Sequence, residues 1–244
     1  MLQSLREQTF QNFDVLILDD SSGTQPLNLP AVQHVVNRLK IEGHKVEFLR
    51  NDVSYGVCKA RNKLINEDPF EGNDFVLRVD DDQVLNRDYI EKLLEVINSG
   101  YDVASGVTPL QGSAPFKRST KNLKNQCING IEWDEYCDIT YYGDDCGTEW
   151  VESVILPAKH FRSSALFRKE VFKELRYELG LTPVGFREES FLSVRMAIKG
   201  FKLGVHTGAV AWHAPASSGG CRNNDYDKMV RLDDERFRYW FKER

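Results

Sequence analysis

Residues 74–82 read DFVLRVDDD, a β-rich run that ends in three consecutive acids. An earlier stretch, FDVLILDD at 13–20, repeats the design: a continuous apolar run closed by Asp19 and Asp20. Short runs of this kind, bounded by turn residues, predict buried strands. Around them the period changes. A helix is expected over 31–42, a strand over KVEFLR at 45–50, and a helix over 57–67 with Val57, Ala60 and Leu64 on one face. After DFVLRVDDD, Asn86 can cap a helix whose Ile90, Leu93, Leu94 and Ile97 recur at i, i+3, i+4 and i+7, and Gly100 can end it. YDVASGV at 101–107 is the next strand. Strands alternating with helices predict an α/β fold, a mostly parallel open sheet flanked by helices.

From 108 to 152 the periodicity fails, and aromatics (Trp133, Tyr136, Tyr141, Tyr142 and Trp150) sit among Gly, Asn, Asp and Thr. The stretch reads as an irregular insertion whose rings suit either a sugar face or packing. HFRSSALFR at 160–168 then predicts a strand, 169–175 a helix, and 188–200 a helix with Phe191, Val194 and Ile198 on one side. KLGVH at 202–206 and AVAWH at 209–213 are short closing strands, which gives the C-terminal half a small antiparallel part. With neither a repeat nor a flexible linker, a single domain over 1–244 is the simplest count, divided as 1–107, 108–152 and 153–244.

Composition narrows the function. With 244 residues and 41% apolar content, the chain can close a core. Its 37 acids against 32 bases, net charge -5, exclude a nucleic-acid protein that relies on bulk phosphate attraction. No apolar run approaches the roughly 18 to 20 residues that span a bilayer, and MLQSLREQTF lacks the apolar stretch of a signal peptide. A cytoplasmic protein is expected, with any membrane contact peripheral at the inner face. Five cysteines, an odd number, favour reduced thiols. Cys127, Cys137 and Cys146 share one polar stretch, but without a CxxC pair or an intervening His they read as loop thiols rather than a zinc site.

In an open parallel sheet the ligand crevice lies beyond the carboxyl ends of the strands. Asp19, Asp20, Asp80, Asp81 and Asp82 all close predicted strands. Clustered carboxylates repel, and a divalent cation with oxygen ligands relieves them, magnesium or manganese fitting best. The other reading is that such acids cap the following helices. An EF-hand over DDDQVLNRDYIE fails, because its fifth position would be Val84 and its turn glycine Leu85.

Five blocks, LQSLREQTFQNFDVLILDDSS (2–22), NDVSYGVCKARN (51–62), FVLRVDDD (75–82), GFREESFLSVRMAIKGFKL (185–203) and AVAWHAPASSGG (209–220), together resemble the successive blocks of glycosyltransferase family 2 enzymes with a GT-A fold. The resemblance implies a nucleoside diphosphate sugar donor, UDP- or GDP-linked, a DxD-type metal site for Mn2+ or Mg2+, and inversion at the anomeric carbon. It makes 1–107 the nucleotide-binding half and 153–244 the acceptor and catalytic-base half. Asp20 falls where the family contacts the nucleobase, with Asp19 the weaker candidate. Asp80, Asp81 and Asp82 form the DxD, Asp80 toward the nucleoside and Asp82 toward the metal, while Arg61 and Asn62 lie near the nucleotide. An arginine and a metal together suit a departing diphosphate. Glu189 takes the family's base position, where it would deprotonate an acceptor hydroxyl, and Glu188 would orient acceptor or backbone. A helix starting at 188 or 189 favours the ionised form of Glu189, while adjacent Glu188 opposes it. Capping of that helix is the plainer use of both. His213 is a second metal ligand by resemblance and an ordinary hydrogen-bonding residue otherwise, and the loop Ser217–Gly220 would close over the diphosphate.

The family also begins with a strand and a loop of Pro-Tyr-Asn type ahead of the SLREQTF helix, whereas this sequence opens inside that helix. Either the strand is missing or another segment fills its place, and its loss would leave unpaired strand edges and an incomplete donor pocket. The acceptor, a glycan, lipid-linked saccharide or protein, is not encoded in the spacing. A non-catalytic nucleotide- or sugar-binding module is the competing function. A nucleotidyltransferase would need an early Gly-rich loop with a basic residue, which is absent.

Overall fold

Apolar runs become strands and periodic segments become helices in the order the sequence sets out. In the computed structural model the first half runs α1 (Leu2–Arg6), β1 (Val15–Asp19), α2 (Pro30–Ile41), β2 (Val46–Arg50), α3 (Val57–Asn66), β3 (Phe75–Arg78), β4 (Gln83–Leu85), α4 (Tyr89–Asn98) and β5 (Val103–Val107). Four short strands follow, β6 (Phe116–Arg118), β7 (Glu132–Trp133), β8 (Ile139–Thr140) and β9 (Thr148–Trp150). The second half contains β10 (Ile155–Ala158), β11 (Ala165–Arg168), α5 (Lys169–Glu174), α6 (Glu188–Ile198), β12 (Leu203–His213) and α7 (Tyr226–Lys242). Described are residues 1–109, 111, 152–158, 160–161, 163–214 and 224–243, with the backbone alone of β6 to β9. The expected aromatic insertion, the thiols Cys127, Cys137, Cys146 and Cys221, and the loop 217–220 lie outside the residues whose side chains are described.

The α/β architecture is as expected, with parallel and antiparallel pairs in the same molecule. One sheet holds β10, β12, β5, β11 and β3 in that order, with β4 on β12. Parallel pairing within it is confined to β5 and β12, because β11 inserts antiparallel between β5 and β3. The parallel share is therefore smaller than strand-helix alternation alone predicts. β1 and β2 form a separate parallel pair. A cleft of about 2020 Å³ runs between β1 and β3, lined by both strands and by α3.

Alternation along the strands builds two apolar layers. Phe167 of β11 and Val103 of β5 face a cluster with Phe172, Phe191 and Phe237, while their neighbours Leu166 and Ala104 face α4. Leu93, Val96 and Ile97 of α4 are fully buried there, each contributing about 2 kcal/mol of apolar transfer free energy. The predicted stripe is thus the core face of α4, and Gly100 (φ 94°) ends it as expected. Asn86 is not its cap. Asp88 occupies that position, and the Asn86 side chain accepts from Trp212 Nε1 at 3.0 Å.

Several expected boundaries move. The predicted closing strands are one, β12, with a register shift between Val205 and Val210 that absorbs the polar step His206–Gly208. Among the described residues of 160–168, only 165–168 pair as strand. On α6, Phe191 and Val194 are buried, but Ile198 is exposed at the helix end. Among the described residues no helix is long and apolar enough to cross a membrane.

Candidate active site

Asp20 follows β1 and gathers the loop ahead of α3. It accepts from Asn51 Nδ2 (2.6 Å), Ser54 Oγ (2.8 Å), Tyr55 N (3.0 Å) and Gly56 N (3.0 Å). Burial alone would raise its pKa, but these donors outweigh it and hold the carboxyl below the usual range. Asp19 pairs with Arg50 and accepts from Ser22 N at 2.8 Å. Asp20 therefore shapes the loop at the cleft rim, whereas Asp19 is spent within the β1–β2 pair.

Gly56 starts α3 with φ 80°, and a side-chain carbon there would lie 2.5 Å from Pro183 Cα. That contact is sealed by Val57 N donating to Pro183 O at 3.0 Å, so α3 docks on the loop that precedes α6. Asn62, expected near the nucleotide, turns away: its amide exchanges two hydrogen bonds with the Tyr177 backbone, at 3.0 and 2.8 Å. Arg61 faces the cleft instead. Its guanidinium lies over the Tyr177 ring, donates to Asp80 Oδ1 at 3.1 Å and pairs with Glu188.

Antiparallel pairing of β4 with β12 sets Gln83 against His213, which brings His213 Nε2 within 3.1 Å of Asp82 Oδ2. Ala214 N also donates to Asp82 O at 2.8 Å. Next to this pair, partial desolvation and the charges of Asp82 and Asp80 push the Asp81 carboxyl up, though the residue is exposed at the rim. The arrangement fits a divalent cation in donor chemistry, a carboxylate and an imidazole beside the Asp81 carboxyl. Among the described residues no three His, Cys, Asp or Glu side chains converge, so Asp82 and His213 stand as a pair.

Asp20, Arg61, Asp80, Asp81, Asp82 and His213 all line the one cleft. Glu188 and Glu189 lie behind it, reaching it through Arg61 and through Arg78, a residue the sequence reading passed over. Arg78 of β3 is largely buried, with its guanidinium over the Phe161 ring. It pairs with Glu189 and lies 3.4 Å from Glu188 Oε1 and 3.3 Å from the Tyr177 hydroxyl. Glu189 Oε1 also accepts from Ser163 N at 2.7 Å. Burial would raise the Glu189 pKa, but Arg78, then Arg61 and His160, prevail and hold it well below the usual carboxylate range. The signal in the sequence was an arginine inside an otherwise apolar strand, since a buried guanidinium requires carboxylate partners.

The fold and this cleft define an α/β protein in which acids that follow separate strands, Asp20 after β1 and Asp80–Asp82 after β3, line one cleft. Residues 1–176 match the model of Glycosyl transferase family 2, and the chain belongs to that family. No curated protein matches it in sequence. It is similar in fold to the protein in the crystal structure of GalNAc-T7 with UDP, GalNAc and Mn2+, with a TM-score of 0.69 at 12% identity. The likeness covers 99% of this chain and 47% of that one, so this chain spans about half the length of that relative.

Proposed function

We propose that the chain is an inverting glycosyltransferase that moves a sugar from a UDP- or GDP-linked donor to a hydroxyl of a glycan, lipid-linked or protein acceptor. The observation that carries this reading is the pair of acid clusters, Asp80–Asp82 and Glu188–Glu189, joined through Arg61 and Arg78 in the wall of one cleft. Asp82 and His213 would hold Mn2+ or Mg2+. When bound, such an ion supplies positive charge to a departing diphosphate. Asp80 and the loop held by Asp20 form the nucleoside side, with Asp81 beside them, and Arg61 contributes a fixed cation. Glu189, kept ionised by Arg78, is the base. A hydroxyl grows acidic as its oxygen bonds to the anomeric carbon, so a carboxylate can take the proton late, on the face opposite the leaving group. Glu188 holds Arg61 in place.

Nucleoside diphosphate release from a panel of UDP- and GDP-sugars with Mn2+ tests the activity. Release is expected, and nucleotide binding without release would support the non-catalytic module instead. Glu189→Gln should retain donor binding while transfer falls by orders of magnitude; unchanged transfer removes Glu189 from the role. Asp82→Ala should weaken Mn2+-dependent binding of UDP in calorimetry, and a wild-type titration curve would remove the DxD assignment.

A further inference from the structure

The helix bearing Glu188 and Glu189 does not hold itself in place. Its entry is built by α7, which lies beyond the residues that match the family model. Asp233 of α7 is 1% exposed and aims both carboxylate oxygens at the loop 182–186. Oδ1 accepts from Thr182 N at 2.7 Å, and Oδ2 accepts from Thr182 Oγ1 at 2.8 Å and Phe186 N at 2.9 Å. Its neighbour Asp234 accepts from Arg187 Nε at 2.8 Å. Arg187 has φ 68°, a left-handed conformation that non-glycine residues rarely adopt, and it is the residue immediately before Glu188. Its guanidinium is further held over the rings of Phe186 and of Phe237 on α7.

The same loop touches α3 through Pro183 and Val57, so it fixes α6 against the helix that carries Arg61. We propose that Asp233 is a positioning residue for transfer. Seated on α7, it clamps the loop 182–186 so that Glu189 stands at a fixed distance from the cleft, and Asp234 holds the turn at Arg187. This role rests on Glu189 being the base. A carboxylate is suited to the task because it accepts all three bonds at once. An amide at 233 turns one donor group toward donors and leaves at least one of them unmatched.

The test is Asp233→Asn, with Thr182→Val as a milder variant that removes only the hydroxyl bond. Hydrogen exchange is read by mass spectrometry on the whole chain. Peptides covering 182–191 should exchange about tenfold faster in Asp233→Asn, with β5 and β12 unchanged. Unchanged exchange at 182–191, or a rise shared equally by β5 and β12, overturns the proposal. In turnover of the panel's active nucleotide sugar, kcat should fall about 10- to 100-fold with KM within about threefold, since small misplacements of a reacting group have that effect. In a Glu189→Gln background the same substitution should change kcat by less than about twofold, because its target is already gone. Additive losses would mean a general structural role and overturn the positioning claim. A wild-type rate in Glu189→Gln would refute the base, while a loss there with wild-type kcat in Asp233→Asn would refute the clamp alone.

Discussion

Replacing Arg78 by Met should destabilise the protein most at neutral pH and less in acid. Arg78 is a largely buried cation between buried Glu188 and partly buried Glu189, its side chain 9% exposed against 7% and 21% for theirs. Removing one partner of a buried ion pair costs about 3–5 kcal/mol, because the remaining charge is left uncompensated. Glu188 keeps Arg61, so the stranded group is chiefly Glu189, left with the Ser163 N–H. The lower figure of about 3 kcal/mol therefore applies, and in a domain of this size it lowers the melting temperature by about 6–12 °C. The sign with pH follows from the shift. In the wild type the folded Glu189 pKa is depressed, so its stabilisation is present above the unfolded value of about 4.3 and disappears as pH falls through the folded one. In Arg78→Met the largest charge opposing burial is gone, leaving Arg61, His160 and the Ser163 N–H, so that pKa rises and the penalty, full at high pH, is relieved as the carboxyl protonates. Calorimetric melts at pH 7.5 and pH 5 should show the gap between the two proteins narrowing in acid. A gap under about 2 °C at pH 7.5, or one of equal size at both pH values, would refute the network as drawn.

Gly56→Ala places a carbon 2.5 Å from Pro183 Cα at φ 80° and ψ 170°, a region open essentially only to glycine, so backbone strain and overpacking together should cost about 2–4 kcal/mol. A melting temperature equal to wild type would mean that α3 does not dock on the loop before α6. Burial pushes the Cys58 thiol up to about 12, so in the folded protein at pH 8 iodoacetamide should leave its peptide unmodified, and in denaturant it should label it. Rapid labelling of the native chain would place Cys58 outside the core.

Strand and helix identity were legible because apolar runs and 3.6-residue stripes report burial directly, as Leu93 and Ile97 on α4 show. Strand order was less so. Nothing local to 165–168 states that β11 lies between β3 and β5, since pairing direction is settled by crossovers and by the whole sheet. The acids Asp80–Asp82 and Glu188–Glu189 were visible as charge at strand and helix ends, but their partners were not. Asn62 and Arg61 are adjacent in sequence and equally polar, yet the helix turns one to the Tyr177 backbone and the other to Asp80. The pairing of His213 with Asp82 depends on the β4–β12 register, across 131 residues of chain.

The Arg61 ion pairs join α3, which also packs on β1, to the acids at β3 and α6, and this ties stability to the site. β1 and β2 with α2 have their own small apolar cluster, and the six-stranded sheet has its larger ones. Between their edges lies the cleft rather than a ladder of backbone bonds. What spans it includes Arg61 to Asp80 and Glu188, and the Val57–Pro183 bond. A diphosphate entering the cleft would compete with Asp80 for Arg61, since guanidinium binds phosphate and carboxylate by the same fork of donors. Ligand binding is therefore coupled through Arg61 to one of several contacts across the cleft, the Val57–Pro183 bond being another. Substitution of Arg61 should weaken ligand binding and contact across the cleft together, whereas substitution of His213, which pairs within the six-stranded sheet, should weaken only ligand binding.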